Sequence, residues 1–117
     1  MINAVHMILY SENPSADRAF LRDVLGYPYV DTGHDWLIFK LPPAEVGVHP
    51  NMGGPEKVEM YFLCDDIDAT IAQLTAAGVE TLRPVSKEDW GLATAIRLPG
   101  GAQVGLYQAL HALAYEL

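Results

Sequence analysis

The side chains best suited to chemistry in this chain are His6, Glu45, His49, Glu59, Tyr61, Gln103 and Tyr107. Imidazole and carboxylate groups can take and return protons near neutral pH, and an amide or a phenol can hydrogen-bond a ligand. Their spacing is by twos. Glu45, Gly47 and His49 alternate along "AEVGVH" (44–49), Gln103, Gly105 and Tyr107 along "AQVGLY" (102–107), Glu59 and Tyr61 along "KVEMYFLC" (57–64), and His6 sits in "INAVHMILY" (2–10). In an extended strand alternate side chains share a face. The opposite faces hold Val5, Met7 and Leu9, then Val46 and Val48, then Met60, Phe62 and Cys64, then Val104 and Leu106. One face is therefore apolar and must lie under helices. The other sets a few polar groups and glycines on an apolar wall, which is the composition of a concave pocket for a small molecule.

The elements that position these residues are written twice. "VHM" (5–7) returns as "VEM" (58–60), "LGY" (25–27) as "AGV" (77–79), "DW" (35–36) as "DW" (89–90), and "LPPAEVGVH" (41–49) as "LPGGAQVGLY" (98–107), all in the same order. Each copy opens with a strand-length run and meets a helix start. In the first, Asn13 caps, Pro14 takes the first helical position, Ala16, Phe20 and Val24 form one apolar row, and Gly26 ends the helix. In the second, Asp65 or Asp66 caps, Ile67, Ile71 and Leu74 line one face, and Gly78 ends it. Three short extended segments follow in each copy, at about 27–31, 36–41 and 44–49, then at about 80–84, 91–97 and 102–107. The unit is βαβββ, so the expected fold is α+β: two duplicated modules, about 3–50 and 57–108, forming a curved mixed sheet around a pocket within one domain, 1–117. Leu110, Leu113 and Leu117 predict a short C-terminal helix over about 109–116, docked on the body or on a second subunit.

Composition narrows the partners. The net charge of -8, with seven Lys and Arg spread along the chain, argues against nucleic acid and against an anionic membrane surface, and leaves a neutral or cationic small molecule, or another protein, as the expected partner. No apolar run approaches the ~18 residues of a membrane span. The single cysteine, Cys64, allows no internal disulfide, and the N-terminal stretch lacks the charged start of a secretory signal, so a cytoplasmic location is expected. Cys64 faces the helices in this scheme, where a thiol is inert. Trp36 and Trp90 recur with the repeat, which favours packing at the core or rim; stacking of Trp90 on a flat ligand is the sharper alternative.

The duplicated modules, together with "VHMILY", "FLRDVLGY", "DWGLATAIRLPGG" and "QVGLYQ", resemble the vicinal oxygen chelate superfamily of glyoxalases, bleomycin-resistance proteins, fosfomycin-inactivating enzymes and extradiol dioxygenases. The resemblance spans about residues 3–108. In metal-dependent members each module offers one ligand near the start of its first strand and one in its last. Carried over, these positions fall on His6 and Glu59, and on Gly47 and Gly105, where metal-binding relatives commonly have glutamate at the latter. Two ligand positions are thus glycine. A catalytic zinc usually needs three protein ligands and a non-haem iron site two His and a carboxylate. The nearest rescue is a set of His6, His49 and Glu59, with Glu45 as a further candidate.

Two readings follow from the resemblance. In the first, the protein binds a small molecule in the concave sheet pocket, lined by Glu45, Gly47, Tyr61, Trp90, Gln103, Gly105 and Tyr107, with a degenerate metal site. In the second it is a lyase or dioxygenase that holds a divalent metal (Zn, Ni, Mn or Fe) through His6, His49 and Glu59, chelates vicinal oxygens of its substrate, and uses Glu59 or Glu45 as a base. The loss of both last-strand ligands favours the first. Small members of the family pair, so a homodimer is expected.

Overall fold

The computed structural model describes residues 6–9, 11–48, 50, 53–55 and 58–117. Helix α1 (Pro14–Ala19) begins where the sequence places its start, with the Asn13 side chain accepting from the Ala16 amide at 3.2 Å and proline in the first turn. It continues as a π-helical turn over Phe20–Val24 and ends before Gly26, whose φ of +70° suits glycine. A two-stranded antiparallel ribbon follows, β1 (Tyr29–Asp31) and β2 (Leu37–Phe39), with Val30 opposite Ile38. After β3 (Tyr61–Leu63), helix α2 (Ile67–Ala76) starts on Asp66, whose carboxylate accepts from the Ala69 amide at 3.1 Å, and closes before Gly78 at φ +85°. Strands β4 (Glu80–Thr81), β5 (Ser86–Lys87), β6 (Gly91–Arg97) and β7 (Gln103–Ala109) complete the main sheet.

That sheet runs β3-β7-β6-β4, with β5 also on β6. The β6–β7 hairpin is its spine, paired antiparallel from Gly91 opposite Ala109 to Arg97 opposite Gln103. β3 joins β7 in parallel, with Tyr61 opposite Gly105, Phe62 opposite Leu106 and Leu63 opposite Tyr107. In β3 and β7 alternation then sorts the faces as expected, whereas Met7 and Leu9, expected under the helices, are exposed, because residues 6–9 form no strand whose pairing would fix their faces. Val104, Leu106 and Ile96 are buried with Phe20, Ile67, Leu74, Val79 and Leu98 in one core, and Met60, Phe62 and Cys64 pack against it. Burial pushes the Cys64 thiol up, consistent with an unreactive side chain.

The two halves of the chain are not equally ordered into sheet. Residues 41–48 carry no strand, and Val46 and Val48 are 90% and 95% exposed, whereas the alternation pattern puts them on the core side. A strand exists only through a partner ladder, and the described residues offer this segment none; Pro42 and Pro43 at its start lack the amide hydrogens a ladder uses. Residues 6–9 likewise form no strand, while the rest of 2–10 lies outside the described residues except for these four. The C-terminal helix is a single 3-10 turn, Ala114–Glu116, shorter than its leucine spacing suggests. β7 extends to Ala109, and the Leu110 amide continues the pairing by donating to the Trp90 carbonyl at 2.9 Å, so only a few residues remain to form a helix. Leu110 and Leu117 stay exposed.

One long-range contact ties the first half to the spine. Asp17, on α1, is buried, and its Oδ1 accepts from the Gly100 amide in the β6–β7 turn at 2.8 Å. The turn approaches so closely that a Cβ on Gly100 would overlap Asp17 and Ser11. The adjacent Glu12 amide donates to the Gly100 carbonyl at 3.2 Å. We expect Asp17→Ala to destabilise the protein by about 1–3 kcal/mol, the cost of leaving a buried amide unpaired. Asp17→Asn, which keeps an acceptor, recovers part of that loss in urea unfolding.

Candidate ligand-binding cleft

On the face of the sheet away from the core, β3, β6 and β7 floor a cleft of about 440 Å³. Its base is small: Ala95 on β6 stands opposite Gly105 on β7. Its walls are the apolar segment Met7–Leu9 on one side and Val58 to Tyr61 on the other, with Gln103 and Arg83 at the margin. Cleft volumes of roughly 300–1,000 Å³ are those that hold small organic ligands.

The parallel register of β3 on β7 lays the Tyr61 ring directly over Gly105. A Cβ at position 105 would overlap that ring, its Cγ lying 2.7 Å away. Here glycine is required by close approach, not by backbone angle. The Tyr61 hydroxyl donates to Glu59 Oε2 at 3.2 Å, so the phenol and the carboxylate form one polar edge of the cleft. Trp90 stands behind: its ring packs edge-on against Tyr61 (centroids 6.3 Å, 79°) and against Tyr107 (5.2 Å, 84°), and Tyr61 and Tyr107 meet at 5.6 Å. Such T-shaped contacts hold the rings in fixed relative orientation.

A second polar cluster lies beyond that aromatic stack. The Tyr107 hydroxyl donates to Glu45 Oε1 at 3.1 Å and lies 3.3 Å from His111 Nε2, whose Nδ1 faces the Ala112 carbonyl at 2.9 Å. The other Glu45 oxygen accepts from the Ala114 amide at 2.8 Å, and the two charges approach to 3.8 Å when His111 is protonated. Glu45 thereby tethers the strandless 41–48 segment to the C-terminal turn. Burial, together with the neighbouring Glu45 carboxylate, pushes the Tyr107 phenol up to about 12. Both causes disfavour the phenolate, so Tyr107 remains a neutral hydrogen-bond donor at physiological pH.

The structure therefore brings Glu59, Tyr61, Gln103 and Gly105 together at the cleft, and sets Glu45 and Tyr107 in a neighbouring cluster joined to it through the rings. Trp90 touches the cleft through Tyr61 rather than lining it. Gly47 lies in the exposed 41–48 segment, His6 is exposed beside Met7 and outside the cleft lining, and His49 lies outside the described residues. Among the described residues no group of three or more His, Cys, Asp or Glu side chains is placed to hold a metal ion. Trp36 is engaged elsewhere, with the Arg18 guanidinium 5.5 Å from its ring centre. Sequence reasoning set His111 aside as lying outside the pocket strands and gave Arg83, in the extended segment 80–84, no role.

Residues 3–106 match the model of the Glyoxalase/Bleomycin resistance protein/Dioxygenase superfamily. The chain belongs to this superfamily. Among curated proteins it is 31% identical over 102 residues, 80% of this chain, to the protein named "Putative glyoxylase CFP32" of Mycobacterium bovis. It spans 39% of the length of that relative. Among solved structures, lactoylglutathione lyase from Agrobacterium tumefaciens shares 20% identity at a TM-score of 0.64, covering 92% of this chain and 94% of that one. TnmS3, described as an antibiotic binding protein from a Streptomyces species, shares 23% identity at a TM-score of 0.59, covering 89% and 99%. At these identities the structural likenesses establish the superfamily's α+β fold and nothing finer. No helix among the described residues is long and apolar enough to cross a membrane.

Two measurements check this geometry. Gly105→Ala destabilises the fold by about 1–3 kcal/mol, the usual cost of overpacking. The same substitution costs much less in a Tyr61→Ala background, where the ring is gone. In an ultraviolet titration of the six tyrosines, one phenol ionises near 12. In Glu45→Gln that phenol moves part-way back toward the ordinary tyrosine value, because the charge is removed while burial stays.

Proposed function

We propose that this protein binds a small organic molecule in the cleft between residues 7–9, β3 and β7, without a metal ion held by the closing strand. The observation that carries this reading is the Tyr61 ring over Gly105. Position 105 is where the family resemblance puts a metal-ligating carboxylate, and the ring fills the space such a side chain needs. Among the described residues no group of three or more His, Cys, Asp or Glu side chains is placed to hold a metal ion, and His49 lies outside them. We therefore derive no chemical step through a metal.

In this reading Glu59 and Tyr61 act together as a polar edge that hydrogen-bonds the ligand, and Glu59 serves as an acceptor rather than a catalytic base. Gln103 supplies an amide that can donate and accept, and Gly105 and Ala95 leave depth at the floor. Trp90 and Tyr107 hold Tyr61 in place, with Glu45 and Gly47 belonging to the segment beside the cleft. That a structure of similar fold is described as an antibiotic binding protein supports the same use of the scaffold. The proposal takes the chain as one domain of two modules, residing in the cytoplasm. It includes the homodimer that the family resemblance leads one to expect, with Val46, Val48 and Val58, each at least 90% exposed, as apolar surface available to a partner.

Protein purified without an affinity tag tests the proposal. Metal analysis and titration with zinc, nickel, manganese and ferrous iron give no stoichiometric binding, and light scattering gives twice the 12.8 kDa chain mass. Stoichiometric metal that disappears in both His6→Ala and Glu59→Ala would instead establish a metal-dependent lyase or dioxygenase.

A further inference from the structure

We infer that the cleft recognises ligands carrying an anionic oxygen group, a carboxylate, sulfonate or phosphate, and that Arg83 is the residue that reads it. This inference rests on the small-molecule reading above and names its ligand class.

The chain's arginines are Arg18, Arg22, Arg83 and Arg97. Arg22 is held bidentate by Asp23 at 2.7 and 2.8 Å, Arg97 pairs with Glu80 at 3.3 Å and donates to the Gly101 carbonyl, and Arg18 lies over Trp36. Arg83 lines the cleft and has no ion-pair or side-chain hydrogen-bond partner among the described residues. Among the described residues it is the only Lys or Arg that lines this cleft.

Its backbone is fixed. Thr94, fully buried on β6, donates from Oγ1 to the Arg83 carbonyl at 2.6 Å, and the preceding Leu82 amide donates to the Ala95 carbonyl at 2.9 Å. The guanidinium is thus carried on an anchored residue next to the cleft floor, although β4 itself ends at Thr81. A planar guanidinium matches a carboxylate, sulfonate or phosphate through paired N–H donors.

The global charge sharpens the case. With a net charge of -8 the protein repels anions at long range, so holding an anionic ligand calls for local donors, of which a cation is the strongest. Arg83 supplies such a point, and the Glu59 carboxylate on the same cleft repels the ligand's anionic end. The two opposite charges give the ligand a direction: its anionic group toward Arg83, its apolar body along Met7, Ile8, Met60 and Tyr61, and any hydrogen-bond donor toward Glu59.

Two fluorescent probes of nearly the same aromatic framework test this, 8-anilinonaphthalene-1-sulfonate and its uncharged counterpart N-phenyl-1-naphthylamine. The wild-type protein binds both, the sulfonate more tightly. Arg83→Gln weakens the sulfonate by about tenfold to a hundredfold, the size expected for losing a charge-assisted pair, and leaves the neutral probe unchanged. Arg83→Lys retains part of the preference. Arg97→Gln, which removes the same charge outside the cleft, leaves both probes as in wild type, and circular dichroism checks that each variant is folded. Equal sulfonate binding in Arg83→Gln and wild type, or equal loss in Arg97→Gln, overturns the assignment to Arg83. Failure of the wild type to bind either probe overturns the small-molecule reading itself.

Discussion

The arrangement of the cleft depends on one contact, the ring of Tyr61 lying on the backbone of Gly105. It arises because β3 joins β7 in parallel with those two residues opposite each other, and because a residue without a side chain lets an aromatic ring settle onto the sheet. From that placement follow the polar edge with Glu59, the edge-on packing of Trp90 and Tyr107, and the depth above Ala95. The same contact fills the space above β7 at position 105. One packing choice thus shapes the cleft and leaves no room for a side chain at position 105.

The polar groups around this contact divide into two sets with different work. Glu45, Tyr107 and His111 bond to one another and to the C-terminal turn, so their capacity is spent on holding chain segments that the sheet leaves unpaired. Glu59, Gln103 and Arg83 line the open space. Desolvation explains the separation: Tyr107 is buried and its phenol must stay neutral and bonded, whereas Glu59, Arg83 and Gln103 are exposed.

Much of the second half was legible in the sequence, because there local pattern and tertiary pairing agree. The alternation of Gln103, Gly105 and Tyr107 against Val104 and Leu106 became a face turned to the cleft and the aromatic stack and a face turned to the core, and the Asp66 cap opened a helix whose Ile67 and Leu74 enter the core. The same reasoning misplaced Val46 and Val48, since alternation assigns faces only once a partner strand exists. The leucine spacing of the tail suggested a helix, but the β6–β7 ladder claimed the residues up to Leu110 first. Asp17 could not be found locally, because its partner Gly100 is 83 residues away and only the folded chain brings them together. Arg83 and His111 escaped for a similar reason: their significance lies in what surrounds them in space. The glycine at 105 was legible as a departure from the family pattern, while its cause, an aromatic ring from another strand, was not.

The most direct test of this account is the proton NMR spectrum of Gly105. A ring stacked on its backbone displaces at least one Gly105 α-proton upfield of the ordinary glycine range, with nuclear Overhauser contacts to the Tyr61 ring protons; both features vanish in Tyr61→Leu. Ordinary Gly105 shifts with no contact to Tyr61 would mean that the space above the strand is open, and would contradict the claim that an aromatic ring stands where a metal ligand would be.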